Sequence, residues 1–378
     1  MQESPYTPGD LARDIPGRET QLGEIGTALR RLERYGELTG RIRVDVGPRG
    51  LGKTSLLREV QRQAESLGLA TVFVTAGDGA LVAQLSEGIR SALGARELAV
   101  QVDSVVAKVN MAIASVEARL TPKPGTASPT AAAFRELVAS AARRSRQFDH
   151  RGLVLLVDEL QSADALSIRT MAYAWQELQA TPRDAPAVLL AAGLSHTQDV
   201  VTDAVSFGER FAFRPMHALQ DAAARYALSA PAADLGVTWD VALLAEVVKR
   251  AQGYPYFVQV FADSIWQAAG YPDPGDVLGL DHLRTAEAAI ELDRNNLFRG
   301  RWSQATAKEQ EVMAAMATHP TTDVARSVIA ATMGVKSTDL SMVRRSLMDK
   351  GLVHAPRYGY LAFTVPGFDA YVRQVADG

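Results

Sequence analysis

The chain has 378 residues and a mass of 40.6 kDa, enough for two or three domains at about 100–200 residues each. Its 40 lysines and arginines against 43 aspartates and glutamates leave a formal net charge of -3, which excludes a uniformly basic protein gripping nucleic acid by bulk charge. It has no cysteine, so disulfides, thiolate zinc sites, iron–sulfur clusters and a cysteine nucleophile are excluded as well. Six scattered histidines without HxxxH or HExxH spacing point away from a histidine metal site. Met1-Gln2-Glu3-Ser4-Pro5 lacks the basic start and apolar core of a secretory signal. No window approaches about 18 uninterrupted apolar residues. The expected location is the cytoplasm, with no membrane contact.

From residue 41 to about 216 the pattern alternates strand and helix. Ile42 to Val46 reads as a strand, and Lys53 to Ser66 as a helix with Leu56, Leu57, Val60 and Ala64 on one face. Ala70 to Val74 is a strand, and Thr130 to Gln147 is a helix through Phe134, Leu137, Val138 and Ala141. Leu153 to Val157 and Ala187 to Ala192 are continuous apolar runs, as expected for strands buried on both faces. Leu160 to Leu178 reads as largely helical, and Phe211 to Phe213 as a short last strand. Strands separated by helices predict an α/β fold with a parallel sheet covered on both faces. The break Thr121 to Pro129, with three prolines and a glycine, predicts a loop inside this domain. Lys108 to Leu120 fits both a strand and a helix, and periodicity does not decide between them. From 217 to about 300 the pattern is helical only: Asp240 to Ala251 is followed by Gly253, and Pro255 opens the next helix.

Gly47-Pro48-Arg49-Gly50-Leu51-Gly52-Lys53-Thr54 matches GxxxxGKT between a strand and a helix, the context a phosphate loop requires. Glycines let successive backbone N–H groups turn toward phosphates, and the helix N-terminus adds partial positive charge. Lys53 is expected to reach the β- and γ-phosphates, and Thr54 to give its hydroxyl to Mg²⁺. The second motif is Leu153 to Val157 running into Asp158-Glu159. A buried parallel strand delivers carboxylates at its C-terminal end to the ligand crevice. Asp158 is expected to hold Mg²⁺ and Glu159 to orient and polarise the attacking water. At the end of the next strand, Ser195 is the candidate sensor of the γ-phosphate, with His196 behind it; an ordinary capping serine fits equally. Arg210 is the candidate for a γ-phosphate contact in cis or in trans, or else a surface arginine.

With these motifs, the chain resembles an AAA+ P-loop ATPase of the origin-recognition-like or archaeal ATPase group, close to the STAND NTPases. Gly17, Arg18 and Glu19 resemble the GRE box that precedes the P-loop in that group and lies near the adenine. Gly47 to Ser55 and Val157-Asp-Glu-Leu-Gln161 match the two Walker motifs. Gly253-Tyr-Pro-Tyr-Phe257 resembles the GxP motif of a helical lid, which would place Pro255 near the nucleotide. The resemblance implies an ASCE-type P-loop core over 1–216, a helical lid over 217–302 and a winged helix over 303–378. It also implies ATP or ADP with Mg²⁺ as ligands, and ATP is favoured over GTP. Two departures stand out. Arg41 to Val46 is more polar than a central strand usually is, and a proline takes the second position after Gly253, so no sensor arginine is evident on the lid.

In the C-terminal region Ala307 to Met316, Ser327 to Met333 and Thr338 to Lys350 read as three helices, with Gly334 in the tight turn. Gly351 to His354 and Tyr360 to Thr364 form a hairpin, and Val365 to Val372 closes the domain. Residues 303–378 hold eight basic and seven acidic residues, a net of +1, which is weak for a DNA binder. Five basic residues nonetheless fall on the second helix of the pair, its turn and the wing: Lys336, Arg344, Arg345, Lys350 and Arg357. In a winged helix these elements meet duplex DNA; a module for protein contact with solvated arginines is the alternative. The function expected is an ATP-hydrolysing AAA+ protein that couples nucleotide state to DNA or partner binding. The alternatives are a slowly hydrolysing nucleotide switch acting through protein contacts or self-association, and a DNA-binding regulator modulated by ATP.

Overall fold

A computed structural model describes residues 2–10, 14–38, 40–94, 96–117, 129–146, 150–180, 185–205 and 208–376. The chain divides into two compact units, one made of residues 19–46 and 53–215, the other of residues 1–18, 47–52 and 216–378.

The first unit runs α1 (Glu19–Tyr35), β1 (Ile42–Val46), α2 (Lys53–Ser66), β2 (Ala70–Thr75), α3 (Leu81–Leu93), α4 (Arg96–Glu117), α5 (Pro129–Ser145), β3 (Leu153–Asp158), α6 (Ala165–Ala180), β4 (Ala187–Gly193), α7 (Thr197–Ala204) and β5 (Phe211–Pro215). Its five strands form one sheet in the order β2-β3-β4-β1-β5, with every pairing parallel. The expected α/β architecture is therefore present. Every residue of β3 and β4 is buried, which is why those segments read as unbroken apolar runs. The chain visits the far edge through β2 and β3 before β4 returns to pair with β1. Parallel pairing puts the carboxyl ends of β1, β3 and β4 along one edge: Val46 lies opposite Gly193, and Val157 opposite Ala191. Such an edge, at a change of strand order, is where open α/β sheets bind ligands.

The polar residues of β1 have a structural explanation. Arg43 and Asp45, two apart, share one face of the strand. Arg43 donates through Nε at 2.8 Å and Nη2 at 2.9 Å to the fully buried Asp45 carboxylate, and through Nη1 at 2.6 Å to Glu24 of α1. A bidentate pair satisfies charges that a central strand could not otherwise hold. The ambiguous segment from Lys108 is helical as far as Glu117. Val102 and Val105 of that helix are fully buried, and α4 packs on α3 and α5, so the helical period decides. Of the expected proline-rich loop, only Pro129 lies within the described residues, where it opens α5.

The second unit continues with α8 (Asp221–Asp234), β6 (Thr238–Trp239), α9 (Val241–Ala251), α10 (Pro255–Ala268), β7 (Val277–Leu278), α11 (Leu280–Ser303), α12 (Ala307–Ala317), β8 (Asp323–Ala325), α13 (Arg326–Met333), α14 (Ser341–Asp349), β9 (Val353–His354), β10 (Tyr360–Phe363) and α15 (Phe368–Ala376). Asp240 caps α9 by accepting from the backbone N–H groups of Ala242 and Leu243. The hairpin of β9 and β10 is joined by β8 in an antiparallel sheet of order β8-β10-β9. Three residues of β8 are too few to register as a strand in sequence.

Thr306 and Glu309 form a capping box at the start of α12. Burial works to raise the Glu309 carboxyl, but hydrogen bonds from Lys350, Ser346 and the Thr306 backbone outweigh it and hold the group down to about 2 from 4.5. A carboxyl depressed by folding adds stability above its unfolded value and loses it as pH falls through the folded one. Glu309 therefore stabilises the fold above about pH 4.5, and that contribution disappears between about 4.5 and 2. Urea unfolding across that window should show Glu309→Gln losing less stability on acidification than the wild type. Equal acid sensitivity would contradict the assignment.

Candidate nucleotide site

The glycine-rich loop belongs to the second unit. Gly50 and Gly52 have φ of +84° and +81°, the left-handed region where residues with a Cβ are strained. At Gly50 a Cβ would also run into the Tyr254 ring. Two side chains from elsewhere in the unit hold the loop's backbone. Arg18 is buried and donates through Nη2 to the carbonyls of Leu51 at 3.0 Å and His217 at 2.9 Å. Tyr254 is buried and its hydroxyl donates to the Arg49 carbonyl at 3.1 Å. Gly17 packs tightly on α8, where a Cβ would lie 2.8 Å from that of Ala223. Pro255 takes the first turn of α10, next to Tyr254. Gly47 is buried, Pro48 half-buried and Arg49 exposed.

In the first unit, Lys53, Thr54 and Ser55 form the first turn of α2, whose amide groups point out of the helix start. Lys53 is buried and Thr54 exposed. The Thr54 hydroxyl donates to Oδ2 of Asp158, the last residue of β3, at 2.6 Å. The other oxygen, Oδ1, accepts from the Glu159 backbone N–H at 2.9 Å. Burial raises the Asp158 pKa above the usual carboxylate value; these two hydrogen bonds, and Lys53 nearby, oppose the shift without cancelling it. Glu19, at the start of α1, is exposed.

Glu159 sits in the left-handed region at φ +53°, uncommon for a residue with a side chain and a form of strain that gathers at functional sites. Its carboxylate accepts from the side-chain amide of Gln161. The same amide's oxygen accepts from the Leu194 N–H at 2.9 Å and, at 3.5 Å, from the Thr197 hydroxyl. Gln161 thus bridges the carboxylate after β3 to the turn after β4. A side chain at Gly193 would collide with this bridge. The motif Val157 to Gln161 contains this glutamine, but nothing in its spacing reveals that it reaches across to β4. We expect Gln161→Leu to leave nucleotide affinity near the wild-type value and slow turnover by roughly 10–100-fold, the scale of about an ångström of misplacement. Unchanged or faster turnover would show that the amide does not orient Glu159.

Ser195 lies half-buried in the turn after β4. The polar contacts there belong to Gln161 and Thr197, whose hydroxyl donates to the Leu194 carbonyl at 2.6 Å. His196 behind Ser195 is buried. Arg210 ends a short 3₁₀ turn before β5 and is exposed. In the C-terminal region Lys336 and Arg345 are exposed and Arg344 half-buried. Lys350 is a correction to the basic surface read from sequence: its ammonium is spent on buried Glu309 at 2.6 Å and the Gln304 carbonyl at 2.9 Å. Arg357 is exposed but pairs with Asp323 at 2.9 Å and lies over the Tyr360 ring.

Among the described residues, no helix is long and apolar enough to cross a membrane. The family model for the AAA ATPase domain matches residues 14–191, and a domain of unknown function (DUF8462) matches residues 295–372. No curated protein matches the sequence. Among solved structures, the chain is similar to the Aeropyrum pernix ORC2 protein in ADPNP–ADP complexes, at 15% identity, TM-score 0.60, covering 99% of this chain and 96% of that one. It is similar to a Walker-type ATPase of Pyrococcus abyssi at 14% identity, TM-score 0.56, with 99% of both chains covered. Cdc6p of Pyrobaculum aerophilum follows at 14% identity and TM-score 0.51, covering 99% of this chain and 96% of that one. At these identities the structures share a fold. Residues 14–191 match the AAA ATPase domain, and the fold of the chain is that of the AAA+ P-loop ATPases.

Proposed function

We propose that the protein binds and hydrolyses ATP and couples its nucleotide state to duplex DNA through a winged helix formed by residues 303–378. The observation that carries the ATPase reading is the pairing of Thr54 with Asp158, with Glu159 next in the chain. An all-oxygen set of hydroxyl and carboxylate suits a hard divalent cation. On this reading Thr54 and Asp158 would hold Mg²⁺, which would supply positive charge to offset that of the phosphate oxygens. Residues Gly47 to Ser55 receive the phosphates, Lys53 by its ammonium and the others by backbone N–H groups. Gly17, Arg18, Glu19 and Pro255 border the nucleotide, with Arg18 acting through the loop carbonyl it holds. Glu159, oriented by Gln161, takes the water's proton. Ser195 senses the γ-phosphate, and exposed Arg210 contacts it in cis or in trans. The ORC2 relative's complexes with ADPNP and ADP support adenine nucleotides as the ligands.

The three-part division assigns 1–216 to the ATPase core, 217–302 to a lid and 303–378 to the winged helix. DNA contact rests on Lys336, Arg344 and Arg345, with Arg357 at the wing. A second reading, a nucleotide switch acting through protein contacts, is favoured by one observation: Met342 and Tyr358 of the same module are 82% and 100% exposed. The experiment is duplex binding with ATP, ADP and no nucleotide, on the wild type and Glu159→Gln. Nucleotide-dependent affinity that falls with salt, and weakens in Arg344→Ala with Arg345→Ala, supports DNA coupling. Duplex binding unaffected by nucleotide or by those substitutions would leave the protein-contact switch.

A further inference from the structure

Arg301 lies in the last turn of α11 and is half-buried. No carboxylate partners it among the described residues, and its bonds go to neutral acceptors. Nη1 donates to the Gly351 carbonyl at 3.1 Å and the Thr364 hydroxyl at 3.3 Å, and Nη2 to the Tyr254 hydroxyl at 3.5 Å. Its Nε is buried without a partner. Burial, first among the causes, lowers the guanidinium's pKa, and the neighbouring Arg49 pushes the same way. A cation placed like this is a poor choice for simple cohesion, which apolar residues supply at less cost.

The arrangement joins two distant places in one unit. Gly351 and Thr364 flank the hairpin of β9 and β10. Tyr254, at the other end, donates to the Arg49 carbonyl. That carbonyl and the Gly50 N–H belong to one planar peptide group. A rotation that turns the Gly50 N–H toward a phosphate must also turn the Arg49 carbonyl, and so strain or relax its bond to Tyr254. A second contact runs beside the first: a Cβ on Gly351 would lie 3.0 Å from Cδ and Nε of Arg49.

We propose that Tyr254 and Arg301 are positioning residues that transmit occupancy of the phosphate loop to the C-terminal hairpin, so that nucleotide at the loop and a ligand docked on residues 307–376 change each other's affinity. The proposal rests on the reading of the loop as a nucleotide site. The coupling is reciprocal by linkage, so it is readable from either end.

The test pairs equilibrium binding of a fluorescent ATP analogue in Mg²⁺ with hydrogen exchange of the amides between 351 and 364, in the wild type, Tyr254→Phe and Thr364→Val. Tyr254→Phe keeps the ring but removes the hydroxyl; Thr364→Val removes an acceptor at the hairpin end while keeping the shape. In the wild type, nucleotide should change hairpin exchange by about fivefold or more, the low end of typical coupling. Tyr254→Phe frees the Arg49 carbonyl, so its nucleotide affinity should shift, and at saturating nucleotide it should lose that response. Thr364→Val, on the hairpin rather than the loop, should shift nucleotide affinity by about fivefold or more. A wild type that binds nucleotide with no hairpin response overturns the coupling alone, as does a Tyr254→Phe response equal to the wild type. If Tyr254→Phe fails to fold, an unshifted affinity in Thr364→Val overturns it. A wild type that binds no nucleotide overturns both this coupling and the ATPase reading.

Discussion

Glu159→Gln should retain nucleotide at wild-type affinity and lower turnover by about 10²–10⁴-fold, the usual contribution of a positioned base. The substitution keeps the shape of the side chain and its neighbours. It also keeps an acceptor for the Gln161 amide, which holds Glu159 in place. It removes the capacity to take a proton. Asp158, bonded to the Thr54 hydroxyl and the residue-159 N–H, is untouched, because the second of these is a backbone bond. Filter binding and phosphate release on the same preparation check both halves of the expectation. A variant that binds and hydrolyses like the wild type would remove Glu159 from the chemistry.

Lys53→Ala should weaken nucleotide binding by about 2–5 kcal/mol, the cost of truncating one partner of a desolvated charge pair. Lys53 is buried in the first turn of α2, where its charge adds to that of the helix start. The fold should survive, because alanine is the strongest helix former and α2 keeps Leu56, Leu57 and Val60 buried. Calorimetric titration with ATP and a thermal melt separate lost binding from lost structure. Wild-type affinity in a folded Lys53→Ala would contradict the phosphate-loop assignment.

Much of the first unit, and the phosphate loop of the second, was legible in sequence because the signals there are local. The phosphate loop carries its own spacing, and β3 and β4 show their burial as apolar runs. The pairing order was not legible: nothing in the segment 187–193 says that it lies between β1 and β3. The polar β1 looked anomalous because the partner that neutralises Arg43 is an i+2 neighbour on the same strand face, reinforced from α1. Lys350 counted as surface charge because its partner Glu309 lies 41 residues away. The same limit hid the orienting role of Gln161 and the link through Tyr254 and Arg301. Tyr254 stands inside a segment that the sequence singles out, but its hydroxyl acts 205 residues away, on Arg49. Local periodicity reports which face is buried; it carries no information about which polar atoms meet across long loops.

On the proposed function, the protein binds ATP through Lys53 and hydrolyses it with Glu159. The most direct measurement is phosphate release from ATP by wild type, Glu159→Gln and Lys53→Ala side by side, with and without a Mg²⁺ chelator. The expected result is Mg²⁺-dependent release by the wild type, bound but unhydrolysed nucleotide on Glu159→Gln, and, with Lys53→Ala, binding weakened by about 2–5 kcal/mol and little release at nucleotide concentrations that saturate the wild type. Equal release by all three proteins, or no nucleotide bound by the wild type, would contradict it.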